Sequence, residues 1–169
     1  MPTSDVAVLG AAVGVHRPTL RVRPFDATDA AAVAGWRYPG RLATYDADAP
    51  PPVELCVAVE DASTRELVGF GCVGAEARIP GQAAHAAVLD VGLGLRPDLV
   101  GRGLGARLGA VVLDHVRARA TGSGAQRLRV AVLGWNTASL ALCARLGFQP
   151  SGEVENDEGR FVLLERGVE

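Results

Sequence analysis

Leu93-Gly94-Leu95-Arg96-Pro97-Asp98-Leu99-Val100-Gly101-Arg102-Gly103-Leu104-Gly105-Ala106-Arg107-Leu108 is the stretch on which the reading of the whole chain turns. Leu93 to Leu95 closes an apolar run that Pro97 ends, and from Leu104 onward apolar residues recur at helical spacing. A strand therefore passes into a helix through a nearly bare turn. Glycines at 101, 103 and 105 remove side chains that would keep a ligand away from the backbone. The helix adds the unpaired N–H groups and positive dipole end of its first turn, so the turn suits an anion and above all a phosphate.

Downstream, Leu104, Leu108, Val111, Val112, His115 and Val116 share one face of that helix, which ends near Gly122. Leu128, Val130 and Val132 then alternate with Arg127, Arg129 and Ala131 as a strand. Asn136 is a good N-cap for a helix over Thr137 to Leu146, and Gly147 closes it. Asn136 and Cys143 fall on one face of this helix. Glu153 to Glu155 and Arg160 to Arg166 read as a last antiparallel pair.

Upstream, Ala86 to Leu95 is a strand apolar on both faces except at Asp90. A carboxylate there is costly to bury unless it is paired, hydrogen-bonded or beside water, and solvent-facing and functional roles both stay open. Val53 to Glu60 and Leu67 to Gly74 form a hairpin, and Leu20 to Arg23 alternates as a first strand. Asp26, Thr28 or Asp29 caps an alanine-rich helix reaching about Trp36. Arg37 to Pro52, with its prolines, reads as loop holding at most one helical turn. Loops on a rigid scaffold carry binding groups, which makes Trp36, Tyr38 and Tyr45 candidates for substrate contact, with Arg37 and Asp46 beside them. This order describes an α/β fold with a mixed sheet, and its two strand-helix-strand steps after residue 86 allow parallel neighbours with a crevice at their ends.

Composition narrows the chemistry. The chain has 169 residues, enough for one domain but not comfortably for two, so 1–18 is expected to be an extension and 19–169 a single domain. All 17 basic residues are arginine, which excludes a Schiff-base lysine, a pyridoxal phosphate anchor and a P-loop lysine. A net charge of −2 offers no field for nucleic acid, so any phosphate site must be local. Cys56, Cys72 and Cys143 are odd in number and widely spaced, unlike a disulfide framework or a zinc site, and no metal is expected. They fit a reducing cytoplasm. Val6 to Val15 is too short to span a bilayer and follows Asp5, so neither a membrane segment nor a secretory leader is expected.

Gly101-Arg102-Gly103-Leu104-Gly105-Ala106 also satisfies the dinucleotide fingerprint G-x-G-x-x-G/A. That fingerprint opens a βαβ unit directly after its strand, with an acidic residue about 20 positions on. Here Pro97 to Val100 intervenes and the next strand ends in Leu133-Gly134-Trp135 without a carboxylate.

Pro97 to Leu108, followed by Asn136 to Phe148, resembles the GNAT family of N-acetyltransferases. The acyl-CoA loop of that family has the form Arg/Gln-x-x-Gly-x-Gly/Ala, and a later helix carries an asparagine, a tyrosine and then Leu-Gly-Phe. Gly103 and Gly105 occupy the small positions, Asn136 the asparagine, and Leu146-Gly147-Phe148 the triplet. The order of elements over 20–166 agrees as well. The resemblance implies a mostly antiparallel mixed sheet flanked by helices, with an acyl-CoA crevice between two parallel central strands. It implies acetyl-CoA as acyl donor, with Leu93, Gly94 and Leu95 hydrogen-bonding the pantetheine arm, and Gly101, Arg102, Gly103, Leu104, Gly105 and Ala106 around the pyrophosphate. Arg107 is a further phosphate candidate and Asn136 a cofactor contact.

The chain departs from the family at two positions: Val100 replaces the usual Arg or Gln, and Cys143 the tyrosine that protonates the departing thiolate. Direct transfer to a primary amine of a small molecule or peptide is the implied reaction, in a monomer or homodimer. Asp90 would be the proton acceptor and Cys143 the candidate acid. A non-catalytic acyl-CoA-binding regulatory module is the alternative.

Overall fold

The computed structural model describes residues 17–169, and the Val6 to Val15 run lies outside them. Seven strands form one sheet in the order β1-β2-β3-β4-β5-β7-β6: β1 Leu20–Pro24, β2 Cys56–Asp61, β3 Leu67–Val73, β4 Val88–Leu95, β5 Arg127–Leu133, β6 Gln149–Asn156 and β7 Gly159–Gly167. Helix α1 is Ala27–Ala34, α2 is Gly105–Ser123 and α3 is Thr137–Arg145. All pairings are antiparallel except β4 with β5. The expected parallel neighbours thus occur once. The second strand-helix-strand step does not place β6 beside β5, because β7 folds back between them.

Two apolar layers sandwich the sheet. On one face α2 and α3 bury Leu108, Val112, Val116 and Cys143 against Val59, Val91, Leu128 and Leu164. On the other, α1 buries Ala30 and Val33 against Phe25, Cys56, Ala58 and Cys72. Covered on both sides, β2 is buried at every residue, Glu60 and Asp61 included. Glu60 compensates its burial with three cations: Arg21, Arg23 at 2.7 Å and Arg65 at 3.1 Å. The Arg21 guanidinium, with Arg23 and Arg65, holds the Glu60 carboxyl below its ordinary value. Of the three candidate caps for α1, Asp26 is used, in a reciprocal capping box with Asp29.

Strands β3 and β4 are matched large against small. Phe70 stands opposite Gly94, Cys72 opposite Gly92, and Leu93 opposite Gly71. A Cβ on Gly94 would lie 2.1 Å from the Phe70 ring and one on Gly92 2.6 Å from Cys72 Sγ. On the opposite face, a Cβ on Gly69 or Gly71 would meet Leu108 at 2.6 Å or Val112 at 2.4 Å, so these glycines let α2 lie close on the sheet. A slip of one residue would drive each large side chain into another, which fixes the register of the central strand.

The terminal hairpin differs from expectation, since β6 begins at Gln149 and not at Glu153. Pro150 and Gly152 suggest a turn, but β6 is an edge strand, where proline costs no ladder bond, and a bulge between Pro150 and Gly152 absorbs the extra residue. Likewise Val53–Leu55 is a 3₁₀ turn and the second strand starts only at Cys56.

Gly71→Ala is expected to destabilise the protein by about 1–3 kcal/mol through overpacking against Val112. Gly122→Ala, on α2 with open space around it, is expected to be neutral or to stabilise by about 0.5 kcal/mol. Urea midpoints of the two variants check the contrast.

Candidate active site

Strands β4 and β5 are joined over only three residue pairs, Val88 with Arg127, Leu89 with Leu128 and Asp90 with Arg129. Beyond these, β4 stays with β3 and β5 with β7, so the sheet opens into a fork. The Arg96 N–H donates to the Val68 carbonyl at 2.9 Å, which makes that facing pair the hydrogen-bonded kind. By the alternation of an antiparallel ladder, Gly94 and Gly92 also spend their N–H and C=O on β3, whereas Val91, Leu93 and Leu95 turn theirs into the fork. Of the three residues expected to bond the pantetheine arm, Leu93 and Leu95 have main-chain groups aimed there. Gly94 does not, and its contribution is a missing side chain.

Asp90 sits at the apex of the fork. It is 1% exposed, and the Arg129 Nε donates to its Oδ1 at 2.7 Å, as does the Gln82 Nε2 at 2.7 Å, while the Arg78 guanidinium lies 3.3 Å from Oδ2. Arg129 also donates to the Ala83 carbonyl at 2.7 Å. The carboxylate left open between a solvent-facing and a functional role thus faces neither solvent nor the cleft, and its oxygens are engaged by three side chains. The single charge of β4 and the buried arginine of β5 find each other across the one parallel pairing among the described residues.

The turn after β4 begins as a 3₁₀ turn over Pro97–Leu99. Gly101 and Gly103 have φ of 78° and 76°, the left-handed region that favours glycine. Helix α2 carries no side-chain cap and no acidic residue in its first turn, and its first internal bond runs from the Leu108 N–H to the Leu104 carbonyl at 2.9 Å. The N–H groups of Gly105, Ala106 and Arg107 precede that bond, so the helix presents an uncapped positive end. Leu104 is buried and fixes the start of the helix, Arg102 and Val100 are exposed, and Arg107 donates to the Pro18 carbonyl at 2.5 Å.

A cleft of about 220 Å³ adjoins the fork. Val91, Gly92 and Leu93 of β4, Ala131 and Leu133 of β5, and Phe70, Cys72 and Phe161 supply its floor and walls, and its polar lining is Thr44, Tyr45, Glu76 and Glu158. Partial burial raises the Glu76 carboxyl above its ordinary value. No ion pair engages Glu76 or Glu158 among the described residues.

The segment between α1 and β2 straddles the fork. The Tyr38 hydroxyl donates to the Leu95 carbonyl at 2.7 Å, and burial pushes this phenol up to about 12. At the other end, the Asn136 amide Nδ2 donates to the Tyr45 hydroxyl at 2.9 Å while Oδ1 caps α3 at the Ser139 N–H, 3.2 Å away. The two roles of Asn136 do not compete, because they use opposite ends of the amide. Arg41 lies over the Trp135 ring, 4.2 Å from its centroid, beside Tyr45. Trp36 instead packs on Phe70 at 5.9 Å and belongs to the core layer under α1. Cys143 lies in the opposite core layer, and burial pushes its thiol up to about 11.

Glu76, Glu158 and Arg129 have no place among the sequence-level candidates. Arg129 carries a signal, a charge alternating with buried valines. Glu76 and Glu158 carry none, as both lie in short turns that only the fold brings to the cleft.

The Acetyltransferase (GNAT) family model matches residues 23–148. The fold is similar to that of a GNAT superfamily phosphinothricin acetyltransferase from Sinorhizobium meliloti in complex with AcCoA, at 19% identity over 88% of each chain with a TM-score of 0.61. It is similar to a spermidine N-acetyltransferase chimera from Vibrio cholerae and hSSAT, at 15% identity over 88% of this chain and 95% of that one, TM-score 0.66. An acetyltransferase (GNAT family) from Bacillus anthracis gives 13% identity over 90% and 97%, TM-score 0.65. No curated protein matches in sequence.

Asp90→Asn removes the charge that compensates Arg129 and is expected to cost about 3 kcal/mol or more. Scanning calorimetry should show a melting temperature lower by roughly 6 °C or more; an unchanged melting temperature would contradict the apex role.

Proposed function

The chain belongs to the acetyltransferase (GNAT) family and is an acyl-CoA-dependent N-acetyltransferase, and on that premise we propose that it moves an acetyl group directly to a primary amine of a small molecule or peptide bound in the cleft. The observation that carries this reading is the coincidence of three features along one edge. Main-chain groups of Leu93 and Leu95 face the fork, an uncapped helix end follows them, and the adjoining cleft has carboxylates as its only charged lining.

These residues fit acetyl-CoA. The Leu93 carbonyl and the Leu95 N–H would pair with the amide-bearing pantetheine arm as with an added strand, the Leu95 carbonyl staying with Tyr38, and the backbone of residues 101–107 would hold the pyrophosphate. Phosphate held by backbone explains why Val100 can stand where a long polar side chain is usual. Arg102 adds an exposed guanidinium suited to phosphate. The donor supplies an acyl group activated as a thioester, so that the amine forms a C–N bond as the C–S bond breaks.

The chain's own task is proton management. An alkyl ammonium has a pKa near 10.4 and must lose a proton before it attacks. Glu76, lining the cleft and raised toward neutrality by burial, is the proton acceptor, and with Glu158 it makes the cleft attractive to a cation. Asp90 is committed to the apex, where Arg129 holds its charge. The Leu93 N–H polarises the thioester carbonyl. Since a protonated carboxyl cannot accept, kcat/KM falls as pH drops through the raised Glu76 pKa.

A thiol-release assay over a panel of primary amines tests the reading. Glu76→Gln is expected to lower kcat by about 100-fold or more and to remove the acidic limb of the pH profile, with acetyl-CoA affinity unchanged. Tight acetyl-CoA binding with no thiol release on any amine would establish a non-catalytic acyl-CoA module instead.

A further inference from the structure

Acyl transfer in this cleft releases a sulfur that must end as a thiol, and a proton has to reach it. Cys143 is 8% exposed and packed in the core layer beneath α3, not among the residues that line the cleft. Of the side chains that do, Glu76 already serves as the proton acceptor, Glu158 is the second carboxyl that draws the cation, Thr44 is too weak an acid, and Cys72 is buried with its thiol pushed far up. Tyr45 remains. A phenol keeps its proton at neutral pH, and the thiolate that leaves as the C–S bond breaks is a base able to take it.

The surroundings of Tyr45 favour that transfer. The Asn136 Nδ2 donates to the phenol oxygen at 2.9 Å, leaving the phenol's own O–H to be given elsewhere. Burial raises the phenol, but the Asn136 bond works against that rise by supporting negative charge on the oxygen. Asn136 is also the N-cap of α3, so developing charge on Tyr45 lies at a positive helix end. The ring is held beside Trp135 at 6.4 Å between centroids.

Resting on the transferase reading above, we propose that Tyr45, carried by the segment that straddles the fork, donates the proton to the departing sulfur, with Asn136 as its positioning residue. As the C–N bond forms, the C–S electron pair passes to sulfur and takes the Tyr45 proton. The ammonium loses two protons in all: one leaves to water through Glu76, and the other restores the phenol. A loop residue thereby does the work expected of position 143.

Tyr45→Phe keeps the ring and tests the role. It is expected to lower kcat by about 100-fold with KM for acetyl-CoA within twofold. A binding readout is independent of turnover. In the unaltered protein, calorimetric affinity for CoA relative to desulfo-CoA, which lacks the sulfur, should rise roughly tenfold from pH 7 to 9.5 as the thiolate gains the Tyr45 O–H bond, and the rise should vanish in Tyr45→Phe. Asn136→Asp, which keeps the cap oxygen, should also lower kcat. An unchanged kcat in Tyr45→Phe, a rise that persists in it, or the same losses in Cys143→Ser would overturn the role. Absence of thiol release by the unaltered protein would overturn the transferase reading and this role with it.

Discussion

The ion pair between Asp90 and Arg129 is the constraint on which the site depends. It joins β4 to β5 at the last residue pair they share, and everything past it is a fork. Two charges taken out of water are costly unless additional hydrogen bonds complete their shells, and here Gln82, Arg78 and the Ala83 carbonyl do so. The loop between β3 and β4 is thereby tied to the apex. Sheet pairing stops where the pair is fixed, and the backbone of Leu93 and Leu95 is left facing a gap.

A gap in a sheet stays open only if both arms are rigid. On the β4 side, rigidity comes from size matching: glycines at 92 and 94 receive Cys72 and Phe70, and glycines at 69 and 71 receive α2. On the β5 side, seven consecutive pairs with β7 hold the arm straight. Across the mouth, Tyr38 reaches the Leu95 carbonyl and Tyr45 reaches Asn136. The same segment therefore touches both arms and the end of α3, which brings a polar group from a loop to the place where acyl chemistry would occur.

Much of this was legible in the sequence because it rests on backbone. The Gly101 to Gly105 turn, the Asn136 cap and the Gly147 closure each follow from what only glycine or a short polar side chain can do, and the structure has all three. The fold class followed from the order of periods. What stayed hidden required three dimensions. Asp90 reads as a lone carboxylate until Arg129 is placed beside it, 39 residues away. Tyr38, Tyr45 and Trp36 are alike as loop aromatics, yet one anchors β4, one meets α3 and one belongs to the core. Glu76 and Glu158 lie in turns with no pattern, and β6 runs back to Gln149 because an edge strand tolerates Pro150.

The proposed hold of the fork edge and the following turn on acyl-CoA is a backbone one, and amide hydrogen exchange with and without acetyl-CoA measures it residue by residue. The N–H groups of Leu93 and Leu95, which face the fork and not β3, and those of Gly103 to Arg107, ahead of the first helical bond, should exchange fast in the free protein and slow on addition of acetyl-CoA, while β1 and β2 stay unchanged. Binding without slowing at Leu93 and Leu95, or with slowing confined to other elements, would contradict the account.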